Sequence, residues 1–475
     1  MLLSNLSKNI DIKKIYNFTK DSSFKYITSN SKLVNNETIF IYNSNTNVKI
    51  KYAREAIKNK TPAIISNKFV KNIKTPQFVV SNINLESEKL LKKIHKNLPS
   101  KIIAVTGTNG KTSVVWYISQ ILTFLKYNNS SVGTLGYFKN CIKKDEVKLT
   151  TPAYEELYKY GSSHKKEANI YIFEASSHAL DQNRLRKYQI DIAAITNISN
   201  DHLDYHKNIS NYKKSKFKLF TKHLSKSGSA IINSRIKNTL SLRNKLIKNK
   251  ISIKYFGRRF IYLEKKYDSI VLNIYKKKYI IKKLNLNTDI ELENLECAIT
   301  CLLELDIKIN NIISVLSKVK NPPGRLQKLN YNKKKSLIII DYAHTPDALK
   351  RTLISLRKKS IKPNLLFGCG GERDKTKRKT MGLIAKYHAN RIYITDDNPR
   401  NENPKNIRKS ILKHCPNAIE IPNRKIAIKK AINDLKVNET LLIAGKGHEK
   451  VQIIKNEKIK FDDYEIAKNT IEKWI

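Results

Sequence analysis

Acidic residues are scarce in this chain. It carries 40 Asp and Glu against 92 Lys and Arg, a formal net charge of +52 over 475 residues. Such an excess admits a nucleic-acid or anionic-membrane partner. The lysines are spread along the chain rather than gathered in one stripe, and no nucleic-acid motif accompanies them. The charge is therefore read as a lysine-, asparagine- and isoleucine-rich coding bias that also attracts anionic substrates at long range. Cysteine is rare as well, with Cys141, Cys297, Cys301, Cys369 and Cys415 scattered and odd in number. That excludes a disulfide framework. Cys297 and Cys301 share a helix face but lack the second pair a zinc site needs. All five read as buried thiols in a reducing cytoplasm. Long apolar runs are missing too, so no transmembrane helix is expected. The opening MLLSNLSKNIDIKK has no apolar stretch suited to a secretory signal. A cytoplasmic, globular protein without membrane insertion is the expectation.

What is present fits that class: 40% hydrophobic and 8% aromatic residues, in a chain long enough for roughly two to four domains. Residues 1–98 show short strands (Phe40–Tyr42, Ala63–Ile65, Phe78–Val80) among helical stretches. Ile102–Thr106 then reads as a buried strand, followed by a glycine turn and an amphipathic helix over Lys111–Lys126. Further apolar strands fall at Ile170–Phe173 and Ile192–Thr196. This alternation indicates a parallel sheet with crossover helices. Asn321–Gly324, NPPG, breaks the pattern. Beyond it, strands at Leu337–Ile340, Asn364–Gly368, Arg391–Thr395 and Thr440–Ala444 make a second, smaller α/β unit. The lysine-rich stretch from about Lys222 to Lys283 gives little signal, and no internal repeat is found.

The segment Gly107-Thr108-Asn109-Gly110-Lys111-Thr112-Ser113 carries the clearest chemistry. Its glycines let the backbone approach a polyphosphate, with amide hydrogens pointing inward at a helix N-terminus. Lys111 neutralises β- and γ-phosphate charge, and the Thr112 hydroxyl is placed to hold Mg²⁺. Two residues separate the glycines where the usual phosphate loop has four. ATP is the expected ligand. Downstream, Glu174-Ala-Ser-Ser-His178 and Asn197-Ile-Ser-Asn-Asp201-His202 each follow a strand, where α/β sheets place ligand chemistry. Glu174 and His202 are candidates to join Thr112 around the magnesium. Histidine is an unusual partner for that ion, and ordinary loop histidines are the equal alternative. In Tyr212-Lys-Lys-Ser-Lys216 no residue pattern singles out one lysine from a solvated run.

Taken together the motifs stop being independent. GTNGKTS, LTTP (Leu149–Pro152), EASSHALDQNRL, TNISNDHLDYH, NPPGRLQ, DYAHTPDAL (Asp341–Leu349), FGCGGERDKTKR (Phe367–Arg378), DDNPR (Asp396–Arg400) and GKGHE (Gly445–Glu449) occur in the order of the Mur ligases. The chain closely resembles that family from about residue 27 to about residue 455, and within it the enzymes that add the third peptide residue. The resemblance implies an α/β protein of three domains. These are a UDP-sugar-binding domain (1–98), a central P-loop-type, mostly parallel-sheet ATPase domain (99–321), and a Rossmann-like amino-acid domain (322–475). It implies an ATP-dependent ligase of peptidoglycan synthesis, serving cell-wall formation, cell shape and division. The carboxylate of UDP-MurNAc-dipeptide becomes an acyl phosphate, which the amine of the third amino acid attacks. The substrates are small molecules and the chain is expected to be a monomer.

Residue by residue, the lysine at Lys216 is the one this family carbamylates. It joins Lys111, Glu174 and His202 in catalysis, with Thr112, Glu174 and His202 holding Mg²⁺. Asn294, Arg325 and Asp341 correspond to further nucleotide contacts. Ser29, Ser31, Thr150, Thr151, Ser176, Gln182 and Arg184 correspond to the UDP-sugar-peptide side. The segment Asp397-Asn398-Pro399-Arg400 resembles the diaminopimelate-adding branch, with Arg373, Gly445 and Glu449 completing that site. The chemistry agrees: meso-diaminopimelate carries a distal carboxylate that lysine lacks, and an arginine fork pairs with it bidentately. Asn-Pro also favours a plain turn, and both readings are compatible.

The match departs from the family pattern near the uracil, where Asp-Ser-Arg is replaced by Asn30-Ser31-Lys32 and the glycine loop by Asn43–Val48. Glu291 stands where the family has an asparagine. The competing readings are a lysine-adding Mur ligase, a folylpolyglutamate-type ligase, a nucleic-acid-dependent NTPase and a non-catalytic scaffold. The intact Lys111, Glu174, His202 and Lys216 argue against the last.

Overall fold

The computed structural model describes residues 1–44, 50–162, 169–266, 269–357 and 361–472. Three separate main sheets organise the chain. The first has five strands in the order Ile12–Tyr16, Gln77–Val80, Ile64–Ser66, Thr38–Tyr42, Tyr26–Thr28. Only the Ile12–Tyr16 pairing is antiparallel. Thr38–Tyr42 is buried at every position, and an unbroken β-branched and aromatic run of this kind suits a strand covered on both faces.

The second sheet has eight strands. Six are parallel: Ser252–Phe256, Leu224–Asn233, Ile190–Ile195, Lys101–Thr106, Ile170–Glu174 and Asn129–Gly133. Gly136–Lys139 and Ile142–Asp145 follow antiparallel at one edge. Register is what builds the site. Val105 lies beside Glu174 and Thr106 beside Ile195, so three neighbouring strands end at one level. The loops that open at Gly107, Ala175 and Thr196 therefore leave the same edge. The helix Lys111–Phe124 starts on Gly110, which has φ +87. A Cβ there would stand 2.2 Å from Asn294 Oδ1, and one on Gly107 would stand 1.8 Å from Thr196 Oγ1. Both positions require glycine. This helix and Asp289–Leu303 pack together on one face of the sheet. The other face joins the core of the first sheet.

The third sheet runs Gln327–Tyr331, Ser336–Asp341, Thr440–Ala444, Asn364–Phe367, Ile392–Ile394, Ile419–Glu420, all parallel except the first. Apolar layers cover both of its faces. No regular element occupies the NPPG break.

Several expectations are corrected. The described residues of the stretch 222–283, which gives little signal in the sequence, form regular elements. They contribute the strands Leu224–Asn233 and Ser252–Phe256, the helix Leu240–Lys248, and an antiparallel meander of Ile261–Lys266, Ser269–Ile274 and Lys277–Ile281. Lysines on the wet faces hid its alternation. The helix from Lys111 ends at Phe124. The hairpin strands after Gly133 and the strands at Ile12 and Tyr26 were not anticipated. Cys141 is half-buried while the other four cysteines are buried, and all five are free. Among the described residues no helix is long and apolar enough to cross a membrane.

Candidate active site

A cavity of about 560 Å³ lies between the edges of the second and third sheets. The phosphate loop forms its floor. Thr108 through Ser113 line it, and Gly107 lies at its base, where its carbonyl accepts from both Lys111 Nζ and Lys216 Nζ at 2.8 Å. Lys111 Nζ also donates to Thr108 O at 2.9 Å. Burial lowers the Lys111 pKa, opposed by Glu174 and Asp201. Lys216 is 1% exposed. Burial, reinforced by the Lys111 charge, holds its ammonium well below the ordinary lysine value. Its Nζ lies over the Tyr212 ring, 4.3 Å from the centroid, and Tyr212 donates its hydroxyl proton to Thr108 Oγ1 at 3.1 Å.

Thr112 Oγ1 donates to Glu174 Oε1 at 3.0 Å, and Thr134 N donates to the same oxygen at 2.8 Å. Glu174 is 1% exposed. His202 sits in the left-handed region, φ 52, on the same cavity wall. Its ring meets His178 edge-on at 4.8 Å. Burial brings its pKa down to about 4 although Asp201 pulls upward, so the imidazole is neutral at physiological pH. The hard oxygens of Thr112 and Glu174 suit Mg²⁺. Among the described residues, no three His, Cys, Asp or Glu side chains cluster to hold a metal alone. An ion completed by phosphate oxygens and water fits that set.

Asn294, Arg325 and Asp341 all line the cavity. Arg325 lies over the Tyr342 ring at 4.2 Å. The Asp341 carboxylate accepts from Leu326 N at 2.8 Å and Ala343 N at 3.0 Å. Burial still raises its pKa. Asn109 bridges the two sheets, donating from Nδ2 to Asp347 Oδ2 at 3.3 Å. Glu291 has a structural task. Its Oε2 accepts from Asn287 N (2.8 Å) and Thr288 N (2.6 Å), capping Asp289–Leu303, and its Oε1 accepts from Asn321 Nδ2 (2.5 Å).

Thr150, Ser176 and Arg184 line the cavity. Thr151 lies just behind, its hydroxyl donating to Glu174 O at 2.8 Å and lying 3.1 Å from Ser176 Oγ. Gln182 Oε1 accepts from Arg184 Nε at 2.9 Å. Ser29 and Ser31 do not line this cavity. They donate to Glu155 Oε2 at 3.0 Å and Glu55 Oε2 at 2.6 Å. Residues 45–48 of the loop Asn43–Val48 fall outside the described residues.

On the third sheet, Asp341 lies beside Ala444 and Phe367 beside Ile394, so their loops emerge together. Arg373 lines the cavity, whereas Asp397–Arg400, Gly445 and Glu449 do not. These residues gather in an adjoining cluster. Gly370 lies between Arg400 and Arg373. Arg400 Nη1 donates to Gly371 O at 2.7 Å, and Asn398 Nδ2 donates to Glu449 Oε2 at 2.9 Å. Asp397 Oδ2 faces Gly445, and the Pro399 carbonyl faces Gly371. Gly445 N donates to the Asp341 carbonyl at 3.1 Å, which ties this cluster to the Asp341 wall of the cavity. Sequence reasoning missed Thr134, Tyr212 and Lys446. Only the i, i+4 spacing of Tyr212 and Lys216 offered a signal.

Residues 105–302 match the Mur ligase middle domain, and residues 324–447 match the Mur ligase glutamate ligase domain. The UDP-N-acetylmuramoyl-L-alanyl-D-glutamate--2,6-diaminopimelate ligase of Rickettsia bellii is 39% identical over 458 residues, covering 93% of this chain and 95% of that one. The enzyme of the same name from Rickettsia prowazekii is 37% identical over 471 residues, covering 94% and 96%. A solved structure of a ligase of that name superposes with a TM-score of 0.65 at 28% identity, covering 95% of both chains. With a phosphate loop and an arginine-bearing loop meeting across one cavity, and with relatives aligned along nearly its whole length, this chain belongs to the Mur ligase family.

Proposed function

We propose that the chain is an ATP-dependent ligase of peptidoglycan synthesis that joins meso-diaminopimelate to the free carboxylate of UDP-N-acetylmuramoyl-L-alanyl-D-glutamate. The observation that carries this reading is one cavity lined by the phosphate loop and by Arg373 of the third sheet, with the Asp397–Arg400 loop in the cluster that adjoins it, supported by relatives that bear that activity in their names. Residues 1–98 hold the UDP-sugar, 99–321 the ATP and 322–475 the amino acid, within a monomer. Ser29 and Ser31 serve the uridine side. Thr150, Thr151, Ser176, Gln182 and Arg184 serve the peptide side.

A carboxylate is a poor electrophile, and ATP approaching it brings two anions together. Lys111 leaves its carbonyl partners for the phosphates and offsets that repulsion. The γ-phosphoryl passes to a carboxylate oxygen, giving an acyl phosphate and ADP. The free amine attacks the acyl carbon, phosphate departs with the former carboxylate oxygen, and the amine's surplus proton passes to solvent. Mg²⁺ at Thr112, Glu174 and His202 supplies charge neutralisation when bound. Lys216, whose ammonium burial disfavours, gives up a proton, and the neutral amine takes up CO₂ as a carbamate with release of a second proton, so a cation becomes an anionic orienting group. Arg400 and Arg373 receive the carboxylates of diaminopimelate, and Glu449 with Asn398 its ammonium.

The test is phosphate release by the purified chain with ATP, Mg²⁺ and the UDP-dipeptide. Release should depend on meso-diaminopimelate and be at background with lysine or with no amino acid. Equal turnover on lysine would overturn the substrate assignment.

A further inference from the structure

Lys446 is fully buried, 0% exposed, yet it has no part in the chemistry above. Its Nζ donates to Asn398 Oδ1 at 2.8 Å and lies 3.5 Å from Glu449 Oε2. The Ile453 N–H donates to the same Asn398 oxygen at 3.0 Å. Asn398 in turn donates from Nδ2 to Glu449 Oε2 at 2.9 Å.

The two ends of a carboxamide are nearly the same shape, so its orientation is set by its partners. Two donors converge on one end of Asn398. Turning the amide over would set its NH₂ against an ammonium and a backbone N–H. Nδ2 is thereby committed to Glu449. A buried ammonium is costly without such partners, and burial lowers the Lys446 pKa while Asp397 and Glu449 oppose it. The neighbouring buried cation, Arg424, is already matched by Asp463 at 2.8 and 2.7 Å. Lys446 is thus left to balance the Asp397 and Glu449 side of the cluster.

We propose that Lys446 is a positioning residue for the incoming amino acid, locking Asn398 so that its NH₂ holds the Glu449 carboxylate in the orientation that receives the substrate ammonium. The inference rests on the amino-acid site assigned above.

The test uses the full chain carrying Lys446→Met, which keeps length and removes the donor, and Lys446→Gln, which keeps a donor. Lys446→Met should raise KM for the amino acid about 10- to 100-fold. KM for ATP and for the UDP-dipeptide should stay within about twofold, and kcat should fall less than KM rises. Lys446→Gln should recover part of the loss. In an Asn398→Ala background, Lys446→Gln should add nothing further to KM. Amino-acid KM within twofold of wild type in Lys446→Met overturns the proposal. So does a parallel rise in KM for ATP, or full additivity with Asn398→Ala. If Lys446→Met does not fold, the Lys446→Gln and Asn398→Ala cycle decides alone. The wild-type control separates the two readings. KM is measured on whichever amino acid supports turnover, so a preference for lysine would sink the diaminopimelate assignment and leave the role of Lys446 measurable.

Discussion

In the function proposed above, Arg400 is the side chain that selects the amino acid. It holds a positive φ of 52 and spends one Nη1 hydrogen on the Gly371 carbonyl. That anchor fixes the plane of the guanidinium and leaves a fork for a carboxylate. Arg400→Ala should lower kcat/KM for meso-diaminopimelate about 100-fold or more, with KM for ATP changed less than about threefold. Arg400→Lys should fall between, since an ammonium keeps the charge and loses the fork. Steady-state kinetics in both substrates checks this, and a matching loss in ATP affinity would count against it. Residues differ in how far the sequence reveals them. The proposal for Arg400 can be drawn from the sequence because its chemistry answers a difference between two amino acids. Residue pattern alone does not single out Lys216, which only the family resemblance names, because Lys213 and Lys214 look the same in the chain. The fold separates them: Lys214 is exposed and Lys216 buried, on the side where Gly107 and Tyr212 wait. That distinction depends on packing, which composition does not record.

At the scale of elements, the parallel strands were readable because strands buried on both faces are nearly continuous apolar runs. The meander between 261 and 281 was not, because its outer strands, Ile261–Lys266 and Lys277–Ile281, carry exposed lysines, and the short Ser269–Ile274 between them, buried at its four inner positions, is too brief a run to stand out. Helix Asp289–Leu303 shows a third case. The sequence marks Glu291 as a lost nucleotide contact, whereas the structure makes it the capping-box acid of that helix, with Lys328 Nζ at 3.2 Å. The same helix carries Asn294 to the phosphate loop, so the cap sets the height of Asn294 beside Gly110. Removing it orphans the Asn287 and Thr288 amides and takes one of the acceptors from Asn321 Nδ2, which keeps the Leu326 carbonyl at 3.0 Å. Glu291→Ala should destabilise the fold by about 2 kcal/mol, read as a lower urea midpoint, and Glu291→Gln should lose less. Unchanged stability with a raised KM for ATP would return Glu291 to the nucleotide.

For the whole molecule, the balance between folded and unfolded chains contains a buried titration. His223 is 0% exposed, in the turn Leu219–His223 that joins a surface helix to the sheet. Neither ring nitrogen has a hydrogen-bond partner, and the Tyr188 backbone carbonyl faces it outside bonding geometry. Burial lowers its pKa to about 4, against about 6.5 in the unfolded chain. The sign follows from proton counting. Between pH 6.5 and 4 the unfolded chain binds a proton that the folded chain refuses, so stability falls as the pH falls through that window. His448, lowered by burial to about 3, adds to the same slope. His223→Leu removes both the unpaired nitrogens and the titration. Its gain in stability over wild type should be about 2 kcal/mol larger at pH 5 than at pH 8, measured by urea unfolding of the full chain at each pH. A gain that is the same at both pH values would mean that the buried ring takes up protons in the folded state as readily as in the unfolded one.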